Sequence, residues 1–235
     1  MSPVRWSFVR RSGSGLVALA AVMSAMAAAP PAASAAGPGV CQGVVGCRVV
    51  AHVDVNGDGA KDAVGVARRG TNGKPGSAVI VRVRTGARTV VAVRRPLDYW
   101  FGSPWHGAAA LDGRKGAELV VGHVTGAHTQ FLWVLTWRRG RLVTLPAPDS
   151  APDWVIDGAA NVALGWQRRP TDRVGTVRRL EAHRNGSGTT FTGTVSTYRW
   201  SAGAWRLLER RTSATVPQRS AFQWGGFHIP GLPRY

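Results

Sequence analysis

The feature that most constrains this chain is a form that recurs three times: two short apolar runs around an acid-containing loop, followed by a hairpin. In the first copy Val53-Asp54 leads through a loop to Asp62-Ala63-Val64-Gly65-Val66. Ala78 to Arg84 then turns at Thr85-Gly86 and returns as Thr89 to Val93. In the second, Ala110-Leu111-Asp112-Gly113 leads to Glu118-Leu119-Val120-Val121-Gly122, and Phe131 to Trp137 turns at Arg138-Arg139-Gly140 into Leu142 to Leu145. In the third, Val155-Ile156-Asp157-Gly158 leads to Asn161-Val162-Ala163-Leu164-Gly165, and Thr194 to Trp200 turns at Ser201-Ala202-Gly203 into Trp205 to Leu208. Trp137 and Trp200 each stand three residues before the turn glycine. β-Branched and aromatic runs bounded by Gly-rich turns predict strands, and almost nothing reads as helix. The expectation is an all-β fold of tandem four-stranded blade-like repeats over about 46–95, 105–147 and 153–211. They would form a partial or small β-propeller, with a β-sandwich as the alternative. Closed propellers typically have about four to eight blades. Three units therefore leave open a fourth blade built from an insertion and the tail, or an open stack. The insertion is Val177 to Arg184 with the turn Asn185-Gly186-Ser187-Gly188, which reads as an extra or lengthened hairpin.

The ends read differently. Arg5, Arg10 and Arg11 precede the uncharged, Ala-rich run Leu16 to Ala29, and Ala33-Ser34-Ala35 supplies small residues for cleavage. That is the pattern of a secretory signal peptide over 1–35. The β-repeat domain is then expected over 36–216, with no transmembrane segment after cleavage. Residues 217–235 form a Pro/Gly/aromatic C-terminal segment that reads as docked and irregular. Cys41 and Cys47 are the two cysteines, six positions apart, and a secreted setting favours a disulfide that closes a small N-terminal loop.

One motif carries chemistry. Asp54-Val55-Asn56-Gly57-Asp58-Gly59-Ala60-Lys61-Asp62 places oxygen-bearing side chains at loop positions 1, 3, 5 and 9. Calcium is a hard cation that takes about six to eight oxygens. The expected ligands are Asp54, Asn56, Asp58 and Asp62 with the backbone carbonyl of Ala60, and Gly57 and Gly59 permit the wrap. An EF-hand would place a Glu at position 12, where this chain has Gly65, and its flanks would be helices. The alternative is an Asx-rich turn without metal. His52, two residues before Asp54, is a candidate support for the loop.

The motif and the apolar strand Ala63-Val64-Gly65-Val66 resemble the FG-GAP/VCBS repeats of integrin-α-type β-propellers, in the form found in secreted bacterial proteins. The resemblance covers the three loop-and-strand preludes well and the hairpins loosely. It implies a Ca2+ ion held in the loop between the first strands of a blade. The ligand pattern carries over fully only to the first unit. Aligning Glu118 with Asp62 places Ala110, Asp112 and Arg114 at positions 1, 3 and 5, so the second loop is expected to be metal-free, with Arg114 in the ion's place. The third loop, with Asp157 and Asn161, is two residues shorter and reads the same way. Phe101-Gly102-Ser103-Pro104 is a weak echo of the repeat's name-giving string.

The formal net charge is +18 at pH 7, with 30 Lys+Arg against 12 Asp+Glu, and three of those acids lie in the first loop. There is no nucleophile elbow, His-Glu-x-x-His helix or phosphate loop. His123 and His128 are candidate bases or zinc ligands without a third partner in sequence, and read better as structural. The nine tryptophans that follow the expected signal peptide would favour sugar stacking if exposed; their recurrence at matching strand positions favours core packing. The resulting expectation is a secreted/extracellular, calcium-binding, non-enzymatic binding or adhesion module for an extracellular protein or carbohydrate ligand. One alternative is a secreted hydrolase acting on cell-wall or polysaccharide material, which would need a carboxylate pair in a cleft. Another is a protein that binds a polyanion or an anionic envelope through Arg82, Arg84, Arg94, Arg95, Arg138, Arg139, Arg141, Arg178 and Arg179. No motif for sequence-specific nucleic-acid recognition is present.

Overall fold

A computed structural model describes residues 39–86 and 89–235. The expected signal peptide lies outside the described residues. Short alternating runs give strands throughout. The first unit is a four-stranded antiparallel meander in the order β1-β2-β3-β4, with β1 at Arg48–Val53, β2 at Asp62–Arg69, β3 at Ala78–Thr85 and β4 at Thr89–Pro96. The second unit repeats the plan with β5 (Trp105–Ala109), β6 (Glu118–Thr125), β7 (Thr129–Arg138) and β8 (Arg141–Leu145). The third runs through β9 (Trp154–Gly158), β10 (Val162–Gln167), β11 (Thr176–Arg184), β12 (Thr190–Ser201) and β13 (Ala204–Pro217). Val177 to Arg184 is thus an integral strand of the unit, and β13 makes it five strands wide.

The units are not three separate four-stranded blades. β9 hydrogen bonds to the first half of β7, pairing Thr129 with Asp157 and Leu132 with Trp154, while β8 takes the second half of the same edge. The second and third units therefore share one ten-stranded sheet, and neither sheet closes into a barrel. The fold is all-β in two open sheets, a sandwich-like arrangement.

The cores explain this packing. Val64 and Val66 of β2 and Val79, Val81 and Val83 of β3 meet Leu119 and Val121 of β6 across the sheets. On the other face of β6 and β7, Val120, Leu132 and Val134 join a second core with Trp154 and Trp166. The middle strands are buried on both faces, so β6 and β7 read as near-continuous apolar runs and not as a simple alternation. The long β13 edge is exposed along most of its length and carries Arg206, Arg210 and Arg211, charges that discourage pairing with another chain.

Two hairpins use one turn. Arg138 faces Arg141 across Arg139-Gly140, and Ser201 faces Ala204 across Ala202-Gly203. In both, the two central residues have positive φ (48° and 78°; 51° and 83°). That is a type I′ turn, whose twist matches the strands it joins.

The C-terminal segment is more ordered than an irregular tail. It forms a short helix, α1 (Gln218–Phe222), and a strand, β14 (Gly226–His228), which pairs parallel to β10. The Cys41–Cys47 disulfide is formed. It lies on β2, where a Cβ at Gly65 would come within 2.9 Å of Cys41 Sγ. Among the described residues, no helix is long and apolar enough to cross a membrane.

Candidate metal centre

The loop between β1 and β2 is organised by its own acids. Asp54 Oδ1 accepts from Gly57 N at 2.6 Å and Oδ2 accepts from Gly59 N at 2.9 Å. Gly57 and Gly59 take φ of 83° and 89°, which turns their amides toward that carboxylate. Asn56 Oδ1 accepts from Asp58 N, and Asp58 Oδ1 accepts from Ala60 N. Asp62, the first residue of β2, accepts from Val55 N at 2.8 Å and Asn56 N at 3.2 Å, both through Oδ2. Each of the four side chains is thereby oriented by at least one backbone amide, and their oxygens keep further lone-pair capacity.

Asp62 stands apart from the others. It is 1% exposed, and its Oδ1 is buried with no hydrogen-bond partner. Burial pushes its carboxyl up; the amides of Val55 and Asn56 oppose this, and the charges of Asp58 and Asp54 add to the rise. The Asp58 carboxyl is held low, chiefly by the Asn56 side-chain amide. Among the described residues no Lys, Arg or His forms an ion pair with Asp54, Asp58 or Asp62.

The donor set fits a hard cation: three carboxylates, one amide oxygen and one backbone carbonyl, with no nitrogen or sulfur ligand. The orphaned Asp62 oxygen is the strongest sign of a missing positive partner. Among the described residues no three His, Cys, Asp or Glu side chains converge as a preformed metal site. The loop is thus a set of donors held along a backbone turn and not a closed cage. His52 is exposed on β1.

The second loop has the same backbone plan with a different charge partner. Glu118 Oε2 accepts from Leu111 N at 2.6 Å and Asp112 N at 3.4 Å, and Oε1 accepts from Thr136 Oγ1 at 2.9 Å. Burial, with the Asp112 charge behind it, lifts the Glu118 carboxyl to about 7. The cation here is not the expected Arg114, whose backbone N–H donates to Asp112 and whose side chain is exposed. Arg138, reaching from β7, pairs with the buried Asp112 carboxylate. Arg168, just after β10, donates to the Ala110 carbonyl.

The third loop is also held by a guanidinium. Arg184 donates to the Ala160 carbonyl through Nε at 3.1 Å and Nη2 at 2.6 Å, and to Asn161 Oδ1 at 3.1 Å. Asp157 accepts from Ala159 N at 2.7 Å and from the Thr129 hydroxyl. These arginines were invisible to a local reading because they come from far along the chain, Arg168 lying 58 residues from its acceptor.

The first two loops touch. A Cβ at Gly57 would lie 2.7 Å from the Lys115 carbonyl oxygen, and one at Gly116 would lie 2.5 Å from the Val55 carbonyl oxygen. Ala117 N donates to Asp54 O at 2.8 Å.

The two candidate histidines are placed differently, and only His123 takes a structural position. His123 stacks on Trp133 with ring centroids 3.9 Å apart, and its Nε2 is 3.0 Å from Asp153 Oδ1. Burial holds its pKa below the usual value in spite of that carboxylate. His128 is exposed. Surface cavities of about 400–540 Å³ lie among the described residues, and Asp98 is the one carboxylate lining any of them.

The arginines singled out for polyanion binding are mostly committed to the protein itself. Arg82 donates to Gln42 O, Arg94 to Gly76 O and Arg95 to Thr144 Oγ1. Arg178 pairs with Asp172, and Arg179 with Asp149 while lying over the Trp166 ring. In comparisons with protein-family models, curated proteins and solved structures, the chain matches none.

Proposed function

We propose that this is a secreted, calcium-binding β-repeat protein of FG-GAP/VCBS-like type, acting as a non-enzymatic extracellular binding or adhesion module. Its blade-like units are the four-stranded meanders β1–β4 and β5–β8 and the widened third unit, with β9 stitched onto β7. Asp54, Asn56, Asp58, Asp62 and the Ala60 carbonyl hold the ion. The ion supplies positive charge to a buried carboxylate and rigidifies the loop that joins β1 to β2.

The observation that carries this reading is the buried, unpartnered Oδ1 of Asp62. The comparison among the loops supports it. Acids or carbonyls of the second and third loops are met by Arg138, Arg168 and Arg184, whereas the first loop has three acids and no such partner among the described residues.

Thermal melting in calcium and in chelator tests it. Calcium raises the midpoint of the wild-type protein, and Asp58→Ala, which also loses the bonds to Ala60 N and the Asn56 amide, melts lower and shows no rise with calcium. Identical wild-type curves in calcium and chelator overturn the reading.

A further inference from the structure

We propose that the strip along β8 is a binding groove for an acidic saccharide, with an aromatic end and a cationic end. Two cavities flank this strand. One, of about 440 Å³, includes Trp200, Trp205, Pro146 and Ala147 in its lining. The other, of about 480 Å³, is lined by Asn56, Arg114, Lys115, Trp137, Arg139 and Arg141 among others. Arg138 and Val143 line both, so the cavities are neighbours.

The aromatic end has an unmet donor. Trp200 and Trp205 meet edge to face at 5.2 Å, and Trp205 Nε1 is taken by the Pro146 carbonyl at 3.0 Å. Trp200 Nε1 is buried with no acceptor. A buried N–H without a partner is costly; Trp200 lines the cavity, and a shift of its indole on binding would present this N–H to a ligand hydroxyl oxygen. Indole with a polar tip suits a molecule that is apolar on one face and hydroxylated at its rim.

The cationic end has unmet charge. Arg138 is committed to Asp112. Arg114, Lys115, Arg139 and Arg141 are exposed and form no ion pair among the described residues. The β5–β6 loop carrying Arg114 and Lys115 and the tight Arg139-Gly140 turn line the same cavity, which gathers these cations from two loops. Like charges gathered in this way repel, and a carboxylate or sulfate offsets the repulsion through charge-assisted hydrogen bonds. The Asn56 amide and Trp137 complete a polar and flat lining there.

The asymmetry selects the ligand class. A nucleic acid presents evenly spaced phosphates and would be matched by cations along the whole strip. Here the cations without an ion pair sit at one end, and the other is lined mainly by Trp, Pro, Ala, Ser and Thr, its one cation, Arg138, being paired with Asp112. A short saccharide with a neutral ring at one end and an anionic group at the other fits both.

The test is calorimetric titration at low salt with a galactotriose oxidised to a carboxylate on one terminal ring, a galactotriose sulfated on one terminal ring, neutral galactotriose, inorganic sulfate and an oligothymidylate. It is run in calcium and in chelator, because Asn56 belongs to the calcium loop; failure of the groove and failure of the calcium reading are then separate results. The proposal expects one or both acidic trimers to bind, and galactotriose about tenfold or more weakly. The trimer that binds identifies the anion as carboxylate or sulfate. Arg139→Glu/Arg141→Glu lowers the affinity about tenfold or more without lowering the melting midpoint. In ¹⁵N-labelled protein the Trp200 indole N–H signal shifts on titration with the bound trimer. Absence of binding by both acidic trimers overturns the proposal. So does oligothymidylate binding as tightly as the trimers, or a Trp200 signal that stays fixed while sulfate alone binds the cations.

Discussion

Glu118 stands in the second loop where Asp62 stands in the first. Each begins a strand and accepts the backbone N–H groups seven and six residues before it: Val55 and Asn56 for Asp62, Leu111 and Asp112 for Glu118. The two carboxylates do the same structural work in different electrostatic settings. Asp62 retains an unpartnered oxygen, whereas both Glu118 oxygens are engaged, one by Thr136.

Glu118 makes stability depend on pH. Its carboxyl titrates at about 7 when folded and near 4.5 when exposed. A raised folded value means that its contribution is fully present below 4.5 and is lost as pH rises toward 7. At about 1.4 kcal/mol per unit, the loss is on the order of 3 kcal/mol. Urea denaturation of the wild type and Glu118→Gln between those pH values measures it. The wild type declines relative to Glu118→Gln over that window and runs parallel to it outside; parallel behaviour throughout contradicts the assignment.

Arg138 is the fixed cation of the second loop. Asp112 has no exposed side-chain surface, so Arg138→Met leaves a buried carboxylate alone. The expected loss is about 3–5 kcal/mol, unchanged by calcium or chelator. Asp112→Asn in the same chain restores a large part of it. A double-mutant cycle with coupling below about 0.5 kcal/mol shows the pair to be incidental.

The disulfide closes a loop with a sequence separation of six, so its contribution is modest. Cys41→Ser/Cys47→Ser costs about 2 kcal/mol by loop-closure entropy. The wild type treated with reductant loses the same amount in denaturant titrations. A reduced wild type as stable as the oxidised one removes the role assigned to this bond.

Gly165 is the point where the C-terminal segment meets the sheet. A Cβ there would lie 2.0 Å from Trp224 O and 2.5 Å from Gly226 O, both backbone atoms. Gly165 is also paired with Gly226 in the β10–β14 register, so neither side can withdraw without breaking that register. Gly165→Ala is expected to cost about 3 kcal/mol or more and to expose the chain after Val216 to limited proteolysis. Wild-type melting and proteolysis in this variant mean that the segment docks elsewhere.

Much of the strand pattern was legible in the sequence. Alternation and β-branched runs located the strands, Gly140 and Gly203 located two matching turns, and the offset between Asp62 and Glu118 matched the hydrogen bonds of both loops. The joining of β9 to β7 was not legible, because either edge of a meander offers the same unpaired N–H and C=O groups. Choosing one depends on how the two cores fill. Arg114 is not the cation of the second loop for a related reason: it is adjacent in sequence, but its side chain faces solvent while Arg138 reaches inward from the neighbouring strand.

The chain by itself determined what acts over a few residues. Side-chain alternation sets strand faces, positive φ sets turns, and acids four residues apart, with Asn56 among them, capture the amides of the loop. The tertiary structure decided which charge meets which. Arg138 comes from 26 residues away and Arg168 from 58, while Arg114, Lys115, Arg139 and Arg141 gather from two loops at one cavity. Electrostatic compensation depends on distance through space and on the water removed between the charges, and neither is written in the spacing of residues along the chain.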